Sequence, residues 1–99
     1  MSEVAVKKRL NNAELKIRAT LTLAGYEVYA FEDGPFHLCA DGPDGSKRIR
    51  IIFTRLGLDE SRAMSRAIMP QNCHREAWQV SEDGKRFVIG RIAEARKKT

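Results

Sequence analysis

One segment of this sequence, residues 34–55, constrains the fold most because it predicts a β-hairpin. Its letters are GPFHLCADGPDGSKRIRIIFTR, in which an apolar-rich strand over residues 36–40 leads into a turn and a longer strand follows over residues 47–54. The turn letters GPDGS suit their positions for separate reasons. Proline presets φ, aspartate can accept a hydrogen bond from the backbone that follows it, and glycine tolerates a positive φ.

Length and composition indicate one small globular domain over residues 1–99. The hydrophobic fraction of 42% is ordinary for a globular chain. No apolar run approaches the roughly 20 residues that a membrane helix needs. The start, MSEVAVKKRL, lacks the apolar region of a secretory signal, and the two cysteines do not form a disulfide framework. We therefore expect a cytoplasmic protein that has no membrane partner.

The charge of the chain is unevenly distributed. The formal net charge is +5, yet the stretch from Glu27 to Ser46 contains five acidic residues and no basic one. The basic residues form three groups: Lys7, Lys8 and Arg9; Lys47, Arg48, Arg50 and Arg55; and Lys85, Arg86, Arg91, Arg96, Lys97 and Lys98. Such clusters suit a polyanion such as nucleic acid, although a solvated surface also contains them.

Hydrophobic periodicity and turn residues predict the remaining elements. A first helix is expected over residues 5–24, where apolar residues recur at helical spacing and Gly25 follows as a C-cap. A second helix begins at Asp59 or Ser61 and ends before Pro70. Strands are expected over residues 26–31, 76–80 and 86–92, a loop over 71–75, a turn over 81–85 and an optional terminal helix over 91–99. The predicted class is α+β, with an N-terminal helix, a β-meander, a short helix and a C-terminal hairpin in a mostly antiparallel sheet.

This order and several local phrases resemble the PD-(D/E)XK nuclease superfamily, particularly its small single-domain members. The phrase AGYEVYAFEDGPFHLCADGPDGSKRIRIIFTR is similar to the family pattern of helix, glycine and strand, then phenylalanine-aspartate-leucine opening a strand. In that pattern a turn and a strand with acid-x-lysine follow. The later REAWQVSEDGKRFVIGRI resembles the terminal hairpin of such proteins. The resemblance implies a restriction-endonuclease-like core and, where the site is complete, metal-dependent cleavage of nucleic acid.

The resemblance also identifies where this chain departs from the family. His37 stands where the first metal-binding aspartate would open the hairpin strand, and Phe53 and Arg55 stand at the second acid and the lysine. Mg²⁺ prefers hard oxygen ligands, which phenylalanine does not supply, and arginine stays protonated and is a poor general base. We therefore expect binding without cutting, and Mg²⁺ or Mn²⁺ as a cofactor only if the protein is active.

Other residues could restore a catalytic or metal site. Asp41 shares a strand face with His37, about 13 Å along the strand, and Glu14 on the first helix is where some relatives place an extra acid. The catalytic candidates are therefore His37, Asp41, Arg55 and Glu14, with no metal ligand set assigned. A zinc site of His37, Cys39, Cys73 and His74 is disfavoured because adjacent residues splay apart in extended chain. Cys39 is better explained as a small buried hydrophobic residue.

The second hairpin strand contains the strongest candidate binding residues. Arg48 and Arg50, with Arg55, are expected on one face opposite Ile49 and Ile51. With Lys47 they form the predicted nucleic-acid-binding set of Lys47, Arg48, Arg50 and Arg55. Three functions remain open: a nucleic-acid-binding protein with a nuclease-like fold, DNA being the favoured ligand; an active endonuclease with migrated ligands; and a small interaction module whose sheet edge pairs with a partner or with itself as a homodimer.

Overall fold

The computed structural model describes residues 3–31 and 34–94. Within these residues the chain is α+β, as predicted, with two helices and five strands. In chain order the elements are α1 (Glu3–Leu23), β1 (Glu27–Ala30), β2 (Leu38–Gly42), β3 (Gly45–Ile52), α2 (Leu58–Arg66), β4 (Cys73–Val80) and β5 (Phe87–Ile92).

The five strands form one sheet in the order β1-β2-β3-β4-β5. Three of the four neighbouring pairs are antiparallel, and β3 and β4 are parallel. The parallel pair follows from α2, which returns the chain along one face of the sheet before β4 begins. The prediction of a mostly antiparallel sheet is therefore confirmed, with one helical crossover inside it.

The predicted hairpin is formed by β2 and β3, with bounds about two residues from those expected. Pro43 and Asp44 make its tip, and Gly42 pairs with Gly45. Gly45 has a φ of 108°, and a side chain at Gly42 would overlap the ring of Tyr26. Both glycines are needed: Gly45 for its backbone conformation and Gly42 for the close approach of the Tyr26 ring.

The larger core lies between α1 and one face of the sheet. Ala13, Ile17 and Leu21 recur at helical spacing and are buried. They pack against the sheet residues Leu38, Ala40, Ile49, Ile51, Trp78 and Val80. The alternation of Ile49 and Ile51 therefore does face the core, as the hairpin pattern predicted.

A smaller core lies on the opposite face, beneath α2. Phe36, Met64 and Ala77 are buried there, and Ile52 and Ile92 pack against them. Because both faces of the central strands are covered, the second hairpin strand is not half-solvated. This arrangement sets the environment of Arg48 and Arg50, the cations predicted on one face of that strand.

Three predicted boundaries require correction. Residues 71–75 do not form only a loop, because β4 begins at Cys73, where parallel pairing with Ser46 adds ladder hydrogen bonds. Arg91 and Ile92 belong to β5 and not to a terminal helix, while residues 95–99 lie outside the described residues. β3 ends at Ile52 and not at Thr54, so Arg55, which was expected on one strand face with Arg48 and Arg50, lies three residues beyond the strand. No helix in the described part of the chain is long and apolar enough to cross a membrane.

Candidate functional site

His37 lies immediately before β2, at the end of the sheet where β3 terminates. Its backbone N–H donates to the carbonyl of Ile49 at 2.8 Å. Its ring Nδ1 accepts the backbone N–H of Ile51, also at 2.8 Å. The imidazole nitrogen thus acts as the acceptor that a backbone carbonyl would provide in the strand pairing, at the point where the hairpin strands separate. This contact leaves Nδ1 without a free lone pair for a metal.

Arg50 is the residue opposite His37. Leu38 pairs with Ile49, so the residue before Leu38 meets the residue after Ile49. The Arg50 guanidinium donates to Glu60 Oε2 at 2.9 Å and to the carbonyl of Pro35 at 2.7 Å. The position facing His37 is therefore occupied by a cation that already has two acceptors. A second cation such as Mg²⁺ would be repelled there.

Phe53 and Arg55, which the resemblance places at the second acid and the lysine of the family, lie beyond the strand ladder of β3. Both residues follow Ile52, the last residue of β3. Phe53 lies on the α1 side, where the Arg9 guanidinium stacks 4.2 Å from its ring centroid. Arg55 is exposed. Neither residue extends the strand ladder toward His37, because β3 ends before them.

Burial and the positive charge of Arg50 both lower the pKa of His37 below its ordinary value. The folded protein therefore favours the neutral ring, which is the form that can accept the Ile51 N–H at Nδ1. This makes His37 a structural acceptor at neutral pH and couples its protonation to the integrity of the hairpin.

We predict that His37 makes folding sensitive to mild acid. Its unfolded pKa is about 6.5, and the folded value is lower, so the unfolded chain binds more protons between the two values. The free energy of unfolding should be highest above about pH 6.5, where the His37 ring is neutral in both states. It should fall as the pH drops from there through the folded pKa. Urea unfolding at pH 7.5 and 5.5 measures this loss, which His37→Gln should reduce and His74→Gln should leave in place. An equal pH dependence in wild type and His37→Gln would contradict the assignment.

The four catalytic candidates do not converge. Asp41 lies at the turn end of β2 and accepts hydrogen bonds from Tyr29 Oη at 3.0 Å and Ser46 Oγ at 2.5 Å. Glu14 lies on α1, across the sheet from Arg50. Among residues 3–31 and 34–94, no three His, Cys, Asp or Glu side chains are grouped so as to hold a metal ion.

The disfavoured zinc set is also separated. Cys73 and His74 are consecutive residues of β4, so their side chains point to opposite faces. Cys39 is buried on β2, two strands from Cys73 and therefore about 10 Å away. Both cysteines are free thiols, and burial raises the pKa of Cys73. The spacing is too wide for a disulfide without backbone movement.

The cations of the predicted binding set that lie on β3 do not form an open surface. Arg48 stacks 4.2 Å from the Phe31 ring centroid and donates to the carbonyl of Ile68 at 3.3 Å. Lys47 lies 3.3 Å from Glu76 and 4.8 Å from the ring centroid of Tyr26. With Arg50 bound to Glu60, three members of the predicted binding set are used within the fold. Strand alternation correctly separated the face of Ile49 and Ile51 from the face of Arg48 and Arg50. It did not reveal that α2 would cover the face with the arginines.

Glu76 on β4 is a structural residue. It is only 3% exposed. Its carboxylate lies 3.3 Å from Lys47 Nζ and 3.5 Å from Arg91 Nε, and it accepts the Trp78 indole N–H at 3.1 Å. A buried carboxylate with three donors is fully satisfied and has no free oxygen lone pair directed at a reacting group.

Three segments that carry cations adjoin at the end of the sheet that contains His37. The Arg9 guanidinium lies over Phe53, directly after β3, and Lys16 Nζ donates to the carbonyl of Gly84 in the β4–β5 turn at 2.6 Å. A groove of about 410 Å³ lies between these segments. The N-terminal half of α1, the end of β3 and the β4–β5 turn are therefore adjacent. We call the exposed cations carried by or next to these three segments, together with Arg9, the basic edge: Lys7, Lys8, Arg9, Arg55 and Lys85.

No ion pair joins a cation of the basic edge to a carboxylate among the described residues, although Glu82 and Asp83 line the same groove. The ion pairs found in the described residues involve Lys47, Arg50, Arg75 and Arg91 as cations. Asp83 lies in the same turn as Lys85, but its carboxylate accepts the Ser81 hydroxyl and the Lys85 backbone N–H. These hydrogen bonds lower the pKa of Asp83, so it stays ionised and locally engaged.

The sequence showed these cations but predicted binding by Lys47, Arg48, Arg50 and Arg55, the first three of which contact other parts of the fold. Lys7 to Arg9, Arg55 and Lys85 came from three separate basic groups. The charge distribution of the sequence already showed these basic groups, but the proximity of the segments that carry them depends on α1 crossing the sheet.

Comparison with protein-family models, with curated proteins and with solved structures finds no significant match.

Proposed function

We propose that this protein binds nucleic acid, with DNA as the favoured ligand, through the basic edge. The observation that carries the proposal is that three segments which adjoin at one end of the sheet carry, within or next to them, five cations that have no ion-pair partner among the described residues. A group of cations attracts a phosphate backbone irrespective of its sequence, because binding releases the counterions condensed on the nucleic acid. The adjoining groove beside Phe53 offers an aromatic ring near the phosphates.

We further propose a nuclease-like core whose catalytic site has been replaced by structural contacts. The element order on which the resemblance to PD-(D/E)XK nucleases rests supports this view. So does the chemistry at the position expected for the metal, where His37 accepts a backbone N–H and Arg50 pairs with Glu60. A site of this composition has a positive charge where the family's reaction needs carboxylates to hold a metal ion.

Salt-dependent binding tests the main proposal. Fluorescence anisotropy with labelled duplex and single-stranded DNA should show binding at about 50 mM salt. If five phosphates are contacted, raising the salt to about 200 mM should weaken binding about 500-fold, because each contact contributes about 0.9 to the log–log slope. Matched RNA ligands establish which nucleic acid is preferred. No detectable binding to DNA or RNA at low salt would overturn the proposal.

We expect no metal-dependent cleavage of duplex DNA by the purified protein. Loss of an oriented metal and a general base removes several kcal/mol of transition-state stabilisation, which lowers turnover by orders of magnitude. Incubation of supercoiled plasmid with Mg²⁺ or Mn²⁺ measures this directly. Cleavage abolished by Asp41→Ala or Glu14→Ala would instead support the alternative of an active endonuclease with migrated ligands. Cleavage unchanged in both variants and in His37→Ala would indicate a contaminating nuclease.

A further inference from the structure

The two edges of the sheet differ in how they are protected against pairing. β1 is only four residues long and begins with the charged residue Glu27. β5 has six residues and exposes apolar side chains, with Val88 69% and Ile89 52% exposed. Short or charged edge strands discourage association, whereas a longer apolar edge invites it.

Several features leave β5 open to another strand. Its first four residues, FVIG, contain no charge and no proline, which are common protective devices on edge strands. A Cβ built on Gly90 would meet nothing within 4 Å. β4 pairs with one side of β5, so the other side presents unpaired backbone N–H and C=O groups among the described residues. A second strand could therefore approach closely at Gly90.

We propose that β5 pairs with β5 of a second copy of this chain, antiparallel and about a two-fold axis at Gly90. The two sheets would then join into one ten-stranded sheet. In this register Val88 of each copy lies opposite Ile92 of the other, and Ile89 lies opposite the aliphatic part of Arg91. Arg86 lies opposite Glu94, whose side chain is 71% exposed and whose carboxylate already lies 4.0 Å from Arg75, so the contact with Arg86 would add to this long ion pair.

Charge selects this register over its neighbours. A two-fold axis perpendicular to the sheet must pass through a pair of identical residues, because opposed side chains share a face. An axis at Val88 would oppose Lys85 with Arg91, which is a like-charge pair. An axis at Ile89 would place Glu94 opposite Gly84 and leave Arg86 without an acid. The axis at Gly90 alone among these three opposes cations with anions.

The area offered by one strand sets the expected strength of the dimer. Stable interfaces usually bury about 800 Å² per partner, and a strand edge with two exposed apolar side chains offers less. We therefore expect a weak dimer, with a dissociation constant in the micromolar range. Val88 and Ile89 lie outside the basic edge, so this association is independent of nucleic-acid binding and can fail or succeed separately.

Light scattering on the full chain without nucleic acid tests the dimer. Over a concentration series that reaches the millimolar range, the mass should rise from 11.2 kDa toward twice that value. Val88→Lys with Ile89→Lys should abolish the rise and should not weaken DNA binding. Leu23→Lys, on a side chain 91% exposed on α1, is the matched control and should still dimerise. A mass of 11.2 kDa at every concentration, or a dimer insensitive to the β5 lysines, overturns the proposal.

The register is tested by charge exchange and by cross-linking. Arg86→Glu should weaken the dimer about tenfold, and adding Glu94→Arg to the same chain should restore it. Oxidation of Gly90→Cys in a Cys73→Ser background should form a covalent dimer across the axis, since residues opposed in an antiparallel pair have Cβ atoms about 5 Å apart. A dimer that persists without this cross-link and without charge-exchange rescue uses another surface or another register, which contradicts the proposal.

Discussion

Replacing Glu76 by glutamine should lower the free energy of unfolding by about 3 kcal/mol. The substitution keeps the shape of the side chain but removes a charge that is buried between Lys47 and Arg91. Lys47, whose side chain is only 13% exposed, would keep its charge without a carboxylate partner. A domain of this size has about 5–15 kcal/mol of stability, so the loss should be plain in urea unfolding followed by circular dichroism.

A carboxylate in a more exposed pair provides the matched control. Glu60→Gln removes the ion pair with Arg50, whose partners are 27% and 41% exposed in their side chains, and should cost less than about 1 kcal/mol. Lys47→Leu combined with Glu76→Leu should recover part of the loss, because it removes both buried charges together. Equal destabilisation by the Glu60 and Glu76 variants would show that burial does not set the strength of the Glu76 contacts.

Neutralising one cation from each segment of the basic edge should strongly weaken DNA binding. The triple change Lys7→Ala, Arg55→Ala and Lys85→Ala removes three expected phosphate contacts and avoids Arg9, which packs on Phe53. The salt slope should fall by about 2.7 units, and the affinity at about 50 mM salt should fall by about three orders of magnitude. Anisotropy titrations across a salt series measure both quantities on one set of samples.

A second triple variant carries the same change in net charge on other surfaces. Arg18→Ala, Arg62→Ala and Arg66→Ala should leave the salt slope close to that of wild type, because none of these residues belongs to the basic edge. Similar losses in the two triple variants would mean that net charge alone governs binding, and the assignment to the basic edge would then fail.

Arg48→Ala separates the basic edge from the binding set predicted on β3. Arg48 is engaged with the Phe31 ring and the carbonyl of Ile68, so its removal should reduce stability and leave the salt slope unchanged. Of the predicted set Lys47, Arg48, Arg50 and Arg55, only Arg55 is expected to contact phosphate. A slope that falls by about one unit in Arg48→Ala would restore the original set.

The sequence by itself determined the local elements. The helical spacing of Ala13, Ile17 and Leu21 and the glycine after it were enough to predict α1, because helix periodicity and capping are properties of neighbouring residues. The turn residues between β2 and β3 were likewise enough to predict the hairpin and the inward face of Ile49 and Ile51. Patterns of this kind are local, and the structure matches them to within a few residues.

Only the tertiary structure determined which element covers each face of the sheet and which distant residues become neighbours. Strand alternation marked Arg48 and Arg50 as one face, yet only the return of the chain through α2 turned that face into an interior with its own acceptors. The parallel pairing of β3 with β4 buried Glu76 beside Lys47, and the path of α1 brought its own residues Arg9 and Lys16 against Phe53 and Gly84 at one end of the sheet. These placements join residues far apart in the chain, and no local pattern encodes the relative positions of such residues.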